Sequence, residues 1–380
     1  MPEFSLTAPA RTLFARDSRA EAAKEIARLG KRVLLARGRS VAWADDLRRD
    51  LKAAGCDVEM VYSQGEPNLD AVRHGVTQAR AHKATCIVAV GGGSVIDLGK
   101  ALSGLCSSDG DPAEYLELGD APALSLKETL PFVAIPTTAG TGAEATRNAV
   151  IGVPERQLKI SLRDPRLVPD LALIDPALTD GAPKGLTLAS GLDAITQLIE
   201  SYLCNRANPV TDALCRASIP PAITALYRLM QAEDPRARDI MARASYLSGL
   251  ALANSGLGIV HGLASVIGGR GGAHGAICGR LLASALAVNS AALKHQGSDT
   301  TRFHDVENWL AEGLGCPKGE GLYALRSFAD ANGLPSLEDL GLPHADIATV
   351  AILAASASST KANPVHLNHD AICGLLRSAG

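Results

Sequence analysis

Short apolar runs alternate with amphipathic segments through the first half of the chain. Runs rich in apolar and β-branched residues predict a β-prone opening up to Phe14 and buried strands at residues 32–36, 58–62, 86–90 and 131–135. Apolar residues at helical spacing predict helices at residues 19–29, 41–54 and 69–84, and another that starts at Ser94. Strands that alternate with helices through short connections indicate a parallel sheet covered on both faces.

The pattern changes in the second half. From Leu186 onward the β signals fade, and helical periodicity continues with interruptions at residues 208–209, 220–221, 268–275 and 332–335. This change predicts two domains, an α/β domain at residues 1–183 and an all-α domain at residues 184–380. The Asp-, Gly- and Pro-rich stretch 107–130 is either a lid or an irregular excursion.

Composition narrows the class of protein. The 380 residues are 47% hydrophobic, enough for two ordinary cores, and the net charge of −3 without a basic block disfavours nucleic acid or an anionic membrane as partner. The eight cysteines contain no C-x-x-C pair, so free thiols of a reducing compartment are favoured over disulfides. No leader pattern and no run of about 18 apolar residues are present, so we expect a cytoplasmic protein.

A glycine turn follows the strand at residues 86–90. Gly91, Gly92 and Gly93 precede Ser94, so the backbone can approach a ligand and the free N–H groups of a helix start can hold a phosphate. The alternative is a turn that only brings strand and helix close together.

A second loop of small and hydroxyl residues follows the strand at residues 131–135. It contains Thr137, Thr138 and Thr141, which could instead satisfy only their own backbone. Because the two loops are expected at adjacent strand ends, they favour a shared phosphate and ribose site.

Two histidines lie in a glycine-rich context in the helical half. His261 and His274 are thirteen residues apart, on either side of the break at residues 268–275. A single histidine near a helix is usually structural, but Asp193 lies in an apolar helix and a buried carboxylate requires a partner.

Together these motifs resemble the iron-containing (group III) alcohol dehydrogenases. The resemblance runs from about Phe4 to Leu376 and rests on Gly91-Gly92-Gly93-Ser94-x-x-Asp97-x-x-Lys100, the segment 136–146, Gly191-x-Asp193-Ala194, His261-Gly262-x-Ala264 and His274-Gly275. It implies a Rossmann-like nucleotide-binding domain, a helical metal-binding domain and an active site between them. Maleylacetate reductases, glycerol dehydrogenases and dehydroquinate synthases share this architecture.

The resemblance also implies a metal site, with iron or zinc as the ion. Members that bind metal supply one Asp and three His, which correspond here to Asp193, Gln197, His261 and His274. Glutamine is a weaker ligand than imidazole, and Ser265 replaces another common histidine. We therefore expect a divalent metal on Asp193, His261 and His274, with Gln197 or water in fourth place. The alternative is a metal-free pocket in which Asp193 hydrogen-bonds with Gln197 and a histidine.

The cofactor implied is a nicotinamide dinucleotide. An acidic residue after the first strand would favour NAD, whereas this chain has Gly38, Arg39 and Ser40, which resemble the turn of NADP-preferring relatives. Arg39, or Arg37, could pair with the extra phosphate, which favours NADP over NAD; a solvated loop is the alternative. By position in the family, Asn68, Asp97, Asn148 and Lys159 also belong to the cofactor site.

The expected reaction is reversible hydride transfer between the nicotinamide and a small aldehyde or ketone. The metal would act as Lewis acid, and no residue is assigned as catalytic acid or base. A metal-free reductase, a lyase, and a catalytically silent nucleotide-binding protein remain alternatives, and a homo-oligomer is left open. Arg280, near Cys278, could meet an anionic substrate or serve only the surface.

Overall fold

The computed structural model describes residues 4–63, 65–116, 123–156 and 158–380. The chain forms two compact units. The α/β unit comprises Thr7–Thr138 and Gly142–Thr179, and the helical unit comprises Ala139–Thr141, Asp180–Gly380 and residues 4–6. Part of the stretch 107–130 lies outside the described residues; within it, Pro112–Tyr115 forms one turn of 3₁₀ helix.

The described strands all belong to the α/β unit. They are β1 (Arg11–Phe14), β2 (Arg32–Gly38), β3 (Asp57–Ser63), β4 (Cys86–Gly91), β5 (Phe132–Pro136), β6 (Asn148–Val153), β7 (Leu158–Arg163) and β8 (Leu171–Ile174). Six of them form one parallel sheet in the order β1-β8-β5-β4-β2-β3, whereas β6 and β7 form a separate antiparallel hairpin. The predicted parallel sheet is confirmed; the hairpin and β8 were not predicted.

Both faces of the sheet are buried, as its near-continuous apolar strands require. The helices of the unit are α1 (Ala22–Leu29), α2 (Trp43–Ala53), α3 (Leu69–His82) and α4 (Gly93–Leu105). Side chains alternate along each strand, so Leu34 and Ile87 pack into the core that contains α3 and α4. Val33 and Val88 pack into the other core, with α1 and α2.

The strand order contains a switch point between β2 and β4. The chain passes from β2 outward to β3, then returns to place β4 on the other side of β2. Arg37 pairs in register with Val90, and Gly91 pairs with Pro136, so the carboxyl ends of β2, β4 and β5 are neighbours. Ligands of such sheets bind at this position.

Helices build the second unit. They are α5 (Lys184–Leu203), α6 (Pro209–Gln231), α7 (Pro235–Asn254), α8 (Ile259–Gly268), α9 (His274–His295), α10 (Thr301–Leu314), α11 (Gly321–Ala331), α12 (Ile347–Ser356) and α13 (His369–Ala379). Every residue of α5 from Gly191 to Leu203 is buried, so α5 is the central helix. By length and composition, α9 alone among the described helices could span a membrane, but 61% of its apolar window is buried in the protein.

The predicted interruption at Pro220 and Pro221 was wrong, because α6 continues through both residues. Proline removes a backbone donor and usually breaks a helix. Here Thr224 Oγ1 donates to the Pro220 carbonyl at 3.3 Å, and Ile219 and Ile223 are buried in the core of the unit. Burial of this face holds the helix across the two missing hydrogen bonds.

Candidate metal centre and nucleotide site

Three polar side chains project from one face of α5. Asp193, Gln197 and Glu200 are spaced four and three residues apart, and each is at most 7% exposed. Polar groups buried in this way need hydrogen bonds or a counter-charge. Their partners come from α7, α8 and α9.

Glu200 lies at the beginning of α8. Its Oε1 accepts a hydrogen bond from the Val260 N–H at 2.7 Å, and its Oε2 lies 3.3 Å from the His261 backbone nitrogen and 2.7 Å from His261 Nδ1. A carboxylate is favourable at a helix N-terminus, where backbone N–H groups lack internal partners. Glu200 thus caps α8 and also fixes the imidazole of His261, leaving Nε2 as the free ring atom.

Two glycines allow α9 to approach α5 closely. A Cβ at Gly275 would lie 2.5 Å from the Ala189 carbonyl oxygen, and one at Gly279 would lie 2.5 Å from Leu192 Cδ1. Both distances are far shorter than a carbon can tolerate. The close approach brings His274 and Cys278, one helical turn apart on α9, beside the carboxylate on α5.

Asp193, His261, His274 and Cys278, which we call the donor group, each direct one ligand atom into a small volume. Asp193 Oδ1 lies 3.5 Å from His261 Nε2 and 3.8 Å from His274 Nε2, and Cys278 Sγ lies 3.7 Å from His274 Nε2. All four donor atoms fall within 4.8 Å of one another. Asp193 Oδ1 and His261 Nε2 are buried without a hydrogen-bond partner among the described residues. Such a pair is costly unless a cation satisfies it.

The charges of the donor group favour added positive charge. Burial lowers the pKa of both imidazoles, but the Cys278 sulfur and the Asp193 carboxylate outweigh it, raising the pKa of His274 to about 9 and that of His261 well above its usual value. Burial also disfavours the Asp193 carboxylate, yet the two histidines hold its pKa below the ordinary range. A divalent cation would meet the same demand.

Gln197 does not present its oxygen to the donor group. Its Oε1 accepts from the Ser248 hydroxyl at 2.6 Å, and its Nε2 donates to Asp193 Oδ2 at 3.4 Å. An amide N–H₂ group has no lone pair for a metal. Gln197 therefore links Asp193 on α5 to Ser248 on α7 and orients the carboxylate. Its amide oxygen does not point to the position that was predicted for a fourth ligand.

Two other residues considered in the sequence have local roles. Ser265 is exposed on α8, where its hydroxyl donates to the Gly262 carbonyl at 2.8 Å. Arg280 donates to the Pro335 and Leu334 carbonyls and pairs with Asp330, so its guanidinium secures the end of α11. A role for Arg280 in meeting an anionic substrate is therefore dropped.

The glycine turn lies between β4 and α4. None of Gly91, Gly92 and Gly93 has positive φ. Glycine is therefore needed here for the room that a missing side chain leaves, and not for its backbone conformation. A Cβ at Gly91 would lie 2.5 Å from a methyl carbon of Val95, whereas one at Gly92 would lie 3.2 Å from Thr138 Oγ1. Gly91 thus allows strand and helix to pack. Gly92, Gly93 and Ser94 are partly exposed at the helix N-terminus, where an anion can be held.

The turn after β2 separates the two candidate arginines. Arg37 is buried and pairs with Asp45 at 2.5 Å, while its other nitrogens donate to the Val41 and Gly38 carbonyls. Arg39 and Ser40 are exposed, and the Arg39 guanidinium lies 5.3 Å from the centre of the Tyr62 ring. Arg37 is therefore committed to the turn, and Arg39 remains as the candidate for a phosphate.

Asn68 and Asp97 make structural contacts in the α/β unit. Asn68 Oδ1 accepts from the Ala71 N–H at 2.9 Å and caps α3. Asp97 Oδ2 accepts from the Val150 N–H at 3.1 Å, which ties α4 to the hairpin. These contacts explain both residues without a ligand.

The remaining predicted residues lie at the hairpin and in the loop after β5. Lys159 pairs with Glu66, and the Asn148 carbonyl accepts from buried Lys100 at 2.9 Å. Burial lowers the pKa of Lys100 to about 8. The Thr137 N–H donates to the Gly91 carbonyl at 3.0 Å, whereas Thr141 belongs to the helical unit.

Glu200 and Cys278, which lie beside the predicted ligands, were not among the predicted site residues. Glu200 follows Asp193 by seven residues, and Cys278 follows His274 by four, so helical spacing places each on the face of a candidate ligand. That spacing was the available signal.

Comparison with known proteins covers the whole chain. Residues 9–176 match the family model described as iron-containing alcohol dehydrogenase, and residues 187–380 match that of the C-terminal part of the Fe-containing alcohol dehydrogenase family. The chain is 31% identical to alcohol dehydrogenase 4 of Schizosaccharomyces pombe, covering 100% of this chain and 90% of that protein.

Two further proteins are similar at this level. The NAD-dependent methanol dehydrogenase of Bacillus methanolicus is 31% identical over 86% of this chain and 85% of its own length. The crystal structure of a 1,3-propanediol oxidoreductase superposes with a TM-score of 0.89 at 29% identity, with both chains covered completely.

Proposed function

Because the chain belongs to the iron-containing alcohol dehydrogenase family, we propose that Asp193, His261 and His274 hold its divalent metal. Proteins of this family interconvert alcohols and carbonyl compounds with NAD(P) and iron or another divalent metal, and this chain is such an oxidoreductase. The observation that carries the metal proposal is that Asp193 Oδ1 and His261 Nε2 are buried and lack a hydrogen-bond partner among the described residues.

Different residues of the chain would hold the metal ion, orient its ligands and bind the cofactor. A divalent ion in the donor group would act as Lewis acid toward the substrate oxygen, and the nicotinamide would donate or accept the hydride. Glu200 holds His261 with Nε2 directed at the ion site, and Gln197 holds Asp193. The helix start at Gly92, Gly93 and Ser94 would bind the cofactor's phosphates through backbone N–H groups.

The metal proposal is tested on protein purified without chelators. We expect about one zinc or iron per chain, and activity in NADPH-dependent reduction of a panel of small aldehydes and ketones. His261→Ala should lower metal affinity and activity at least tenfold, because it removes one of three ligands. His369→Ala is the matched control, since that histidine is half-exposed on α13 and belongs to no group of potential metal ligands found among the described residues.

A metal-free reductase is the competing function, and the hydrogen bond between Gln197 and Asp193 favours it. It requires activity that is unaffected by a chelator and by added divalent metal. Full activity of metal-depleted wild type, with His261→Ala equally active, would contradict the metal proposal.

We infer a preference for NADP over NAD from the turn after β2. It has no acidic side chain at residues 38–40 to bind the ribose hydroxyls, and exposed Arg39 can reach a phosphate. A Cβ at Gly38 would lie 3.4 Å from Val41 Cγ2, an ordinary van der Waals contact, so the position accepts a side chain at its first carbon. Gly38→Asp should weaken NADPH binding by roughly 1–3 kcal/mol and spare NADH.

Binding is measured by titrating cofactor fluorescence. Gly185→Asp, at an exposed glycine of α5 with no atom within 4 Å of a built Cβ, adds the same charge as a control. An unchanged ratio of NADPH to NADH affinity in Gly38→Asp would mean that this turn does not face the adenosine ribose.

The physiological setting follows from the same features. We propose a small alcohol or carbonyl substrate, since the named relatives include alcohol, methanol and propanediol dehydrogenases. The net charge of −3 offers nucleic acid or an anionic membrane no attraction, and a cytoplasmic location fits eight cysteines without a disulfide among the described residues. Assembly into a homo-oligomer is tested by light scattering.

A further inference from the structure

We propose that the Cys278 thiolate is the fourth protein ligand of the metal centre, in the place that the family gives to a third histidine. The inference rests on the proposed metal site and extends it to the donor set Asp-His-His-Cys. Cys278 is fully buried on α9, one turn beyond His274, and its sulfur lies within 4.8 Å of the other three donor atoms.

The distances suit a small tetrahedral ion. Bonds of about 2.0–2.1 Å to nitrogen and oxygen and about 2.3 Å to sulfur give a tetrahedron with edges of about 3.3–3.6 Å. Three of the six separations in the donor group are 3.5, 3.7 and 3.8 Å, and all six are within 4.8 Å. These three edges need a contraction of only a few tenths of an ångström to reach tetrahedral bond lengths, and the remaining edges start from at most 4.8 Å.

Gln197 is unsuited to the fourth place. Its oxygen accepts from Ser248, and rotating the amide by half a turn would place that oxygen against Asp193 Oδ2, where two acceptors repel. The chain has lost an imidazole on α5 but has a sulfur ligand on α9. The number of protein ligands stays at four, although the fourth comes from a different helix.

A thiolate changes which ion the centre prefers. Sulfur ligands select zinc over harder ions, whereas a set of imidazoles and a carboxylate accommodates iron and zinc alike. We therefore infer that this chain is a zinc enzyme within a family named for iron. The Cys278→Ser variant, which replaces sulfur with an oxygen of similar position, should lose about tenfold or more in zinc affinity and much less in iron affinity.

Cobalt(II) provides a readout that does not depend on activity. A cobalt–thiolate bond gives a strong charge-transfer band in the near ultraviolet, whereas cobalt bound only by nitrogen and oxygen shows weak visible bands. We expect the near-ultraviolet band in the cobalt-loaded wild-type chain and its loss in Cys278→Ser, with the visible bands retained. Cys373→Ser is the matched control, because Cys373 Sγ also lies close to a histidine one turn away, at 3.6 Å from His369 Nε2.

The outcomes separate the two proposals. Wild-type protein that binds cobalt with visible bands but no charge-transfer band would overturn the ligand role of Cys278 and leave the metal site in place. Protein that binds neither cobalt nor zinc would overturn both. A charge-transfer band that disappears in Cys373→Ser and persists in Cys278→Ser would assign the sulfur contact to α13 and also refute the proposal.

Discussion

The Glu200 carboxylate connects α5 to the beginning of α8. Glu200 accepts from two backbone N–H groups of α8 and interacts with the ring nitrogen of His261, so a single side chain sets both the helix start and the ligand orientation. A partner of this kind commonly fixes the ring orientation of a metal-binding histidine and raises its basicity. It is a positioning residue, because it acts through the imidazole.

Replacing this carboxylate separates the two roles. Glu200→Gln turns one acceptor into an N–H₂ donor that faces N–H donors, so we expect metal affinity to fall by about 10–100-fold and the unfolding free energy to fall by about 1–3 kcal/mol. Chelator competition measures the first quantity and denaturant unfolding the second. Glu21→Gln, on an exposed pair with Lys24, should change neither.

A double-mutant cycle with His261→Ala decides whether Glu200 acts through the ligand. If it does, Glu200→Gln should have little further effect on metal affinity once the imidazole is gone. An undiminished effect in that background would show that the carboxylate acts on the centre by another route.

At the scale of single residues, the sequence shows the types of the candidate residues and their spacing, but not the direction in which each side chain points. Asp193, His261 and His274 could be selected through the family resemblance, and the structure brings their ligand atoms together. The partnership of Glu200 with His261 spans 61 residues, and no local pattern encodes it. Likewise, nothing in the sequence shows that Gln197 directs its oxygen toward Ser248.

At the scale of helices, the four donor atoms come together because α5 and α9 pack closely against each other. Gly279→Ala would place a methyl carbon 2.5 Å from Leu192 Cδ1 and 2.9 Å from Leu192 Cβ, so the helices must separate. We expect a loss of about 1–3 kcal/mol in unfolding free energy and weaker metal binding, because His274 and Cys278 move with α9.

The same substitution elsewhere provides the control. A Cβ at Gly374 on α13 has no atom within 4 Å, so Gly374→Ala should leave metal binding unchanged and stabilise the helix by about 0.5–1 kcal/mol. Thermal unfolding and metal titration of both variants test this. Equal metal affinity in Gly279→Ala and wild type would show that the helix spacing does not control the donor geometry.

Elements were predicted well where their periodicity was unambiguous. The four apolar strands follow from their short apolar runs, and the helices, including those of the fully helical second half, follow from their helical periodicity. The hairpin escaped although its β6 strand alternates buried and half-buried residues, because Pro154 and the polar residues around it resemble a loop. The predicted helix break at Pro220 and Pro221 was wrong because burial in the tertiary core outweighed the local helix-breaking effect of proline.

At the scale of the whole chain, the order of the elements predicts where a ligand of the α/β unit would bind. A parallel sheet has its binding edge where strand order reverses, and here that edge carries the turn at Gly38 and the glycines after β4. Thr141 stays a predicted cofactor contact, although residues 139–141 group with the helical unit. The sequence has no pattern that marks such a short interruption of the α/β unit.

The attachment of His261 to Glu200 also has a kinetic consequence. Because the backbone and the imidazole of this residue are held by the same carboxylate, a rotamer change of the ring must break its contact with Glu200, whereas rotamers at exposed positions change in picoseconds to nanoseconds. Displacement of His261 together with the first turn of α8 would instead be a local opening, which belongs to the microsecond-to-second scale. An ion held there as we propose would therefore leave the centre slowly, whatever its equilibrium affinity.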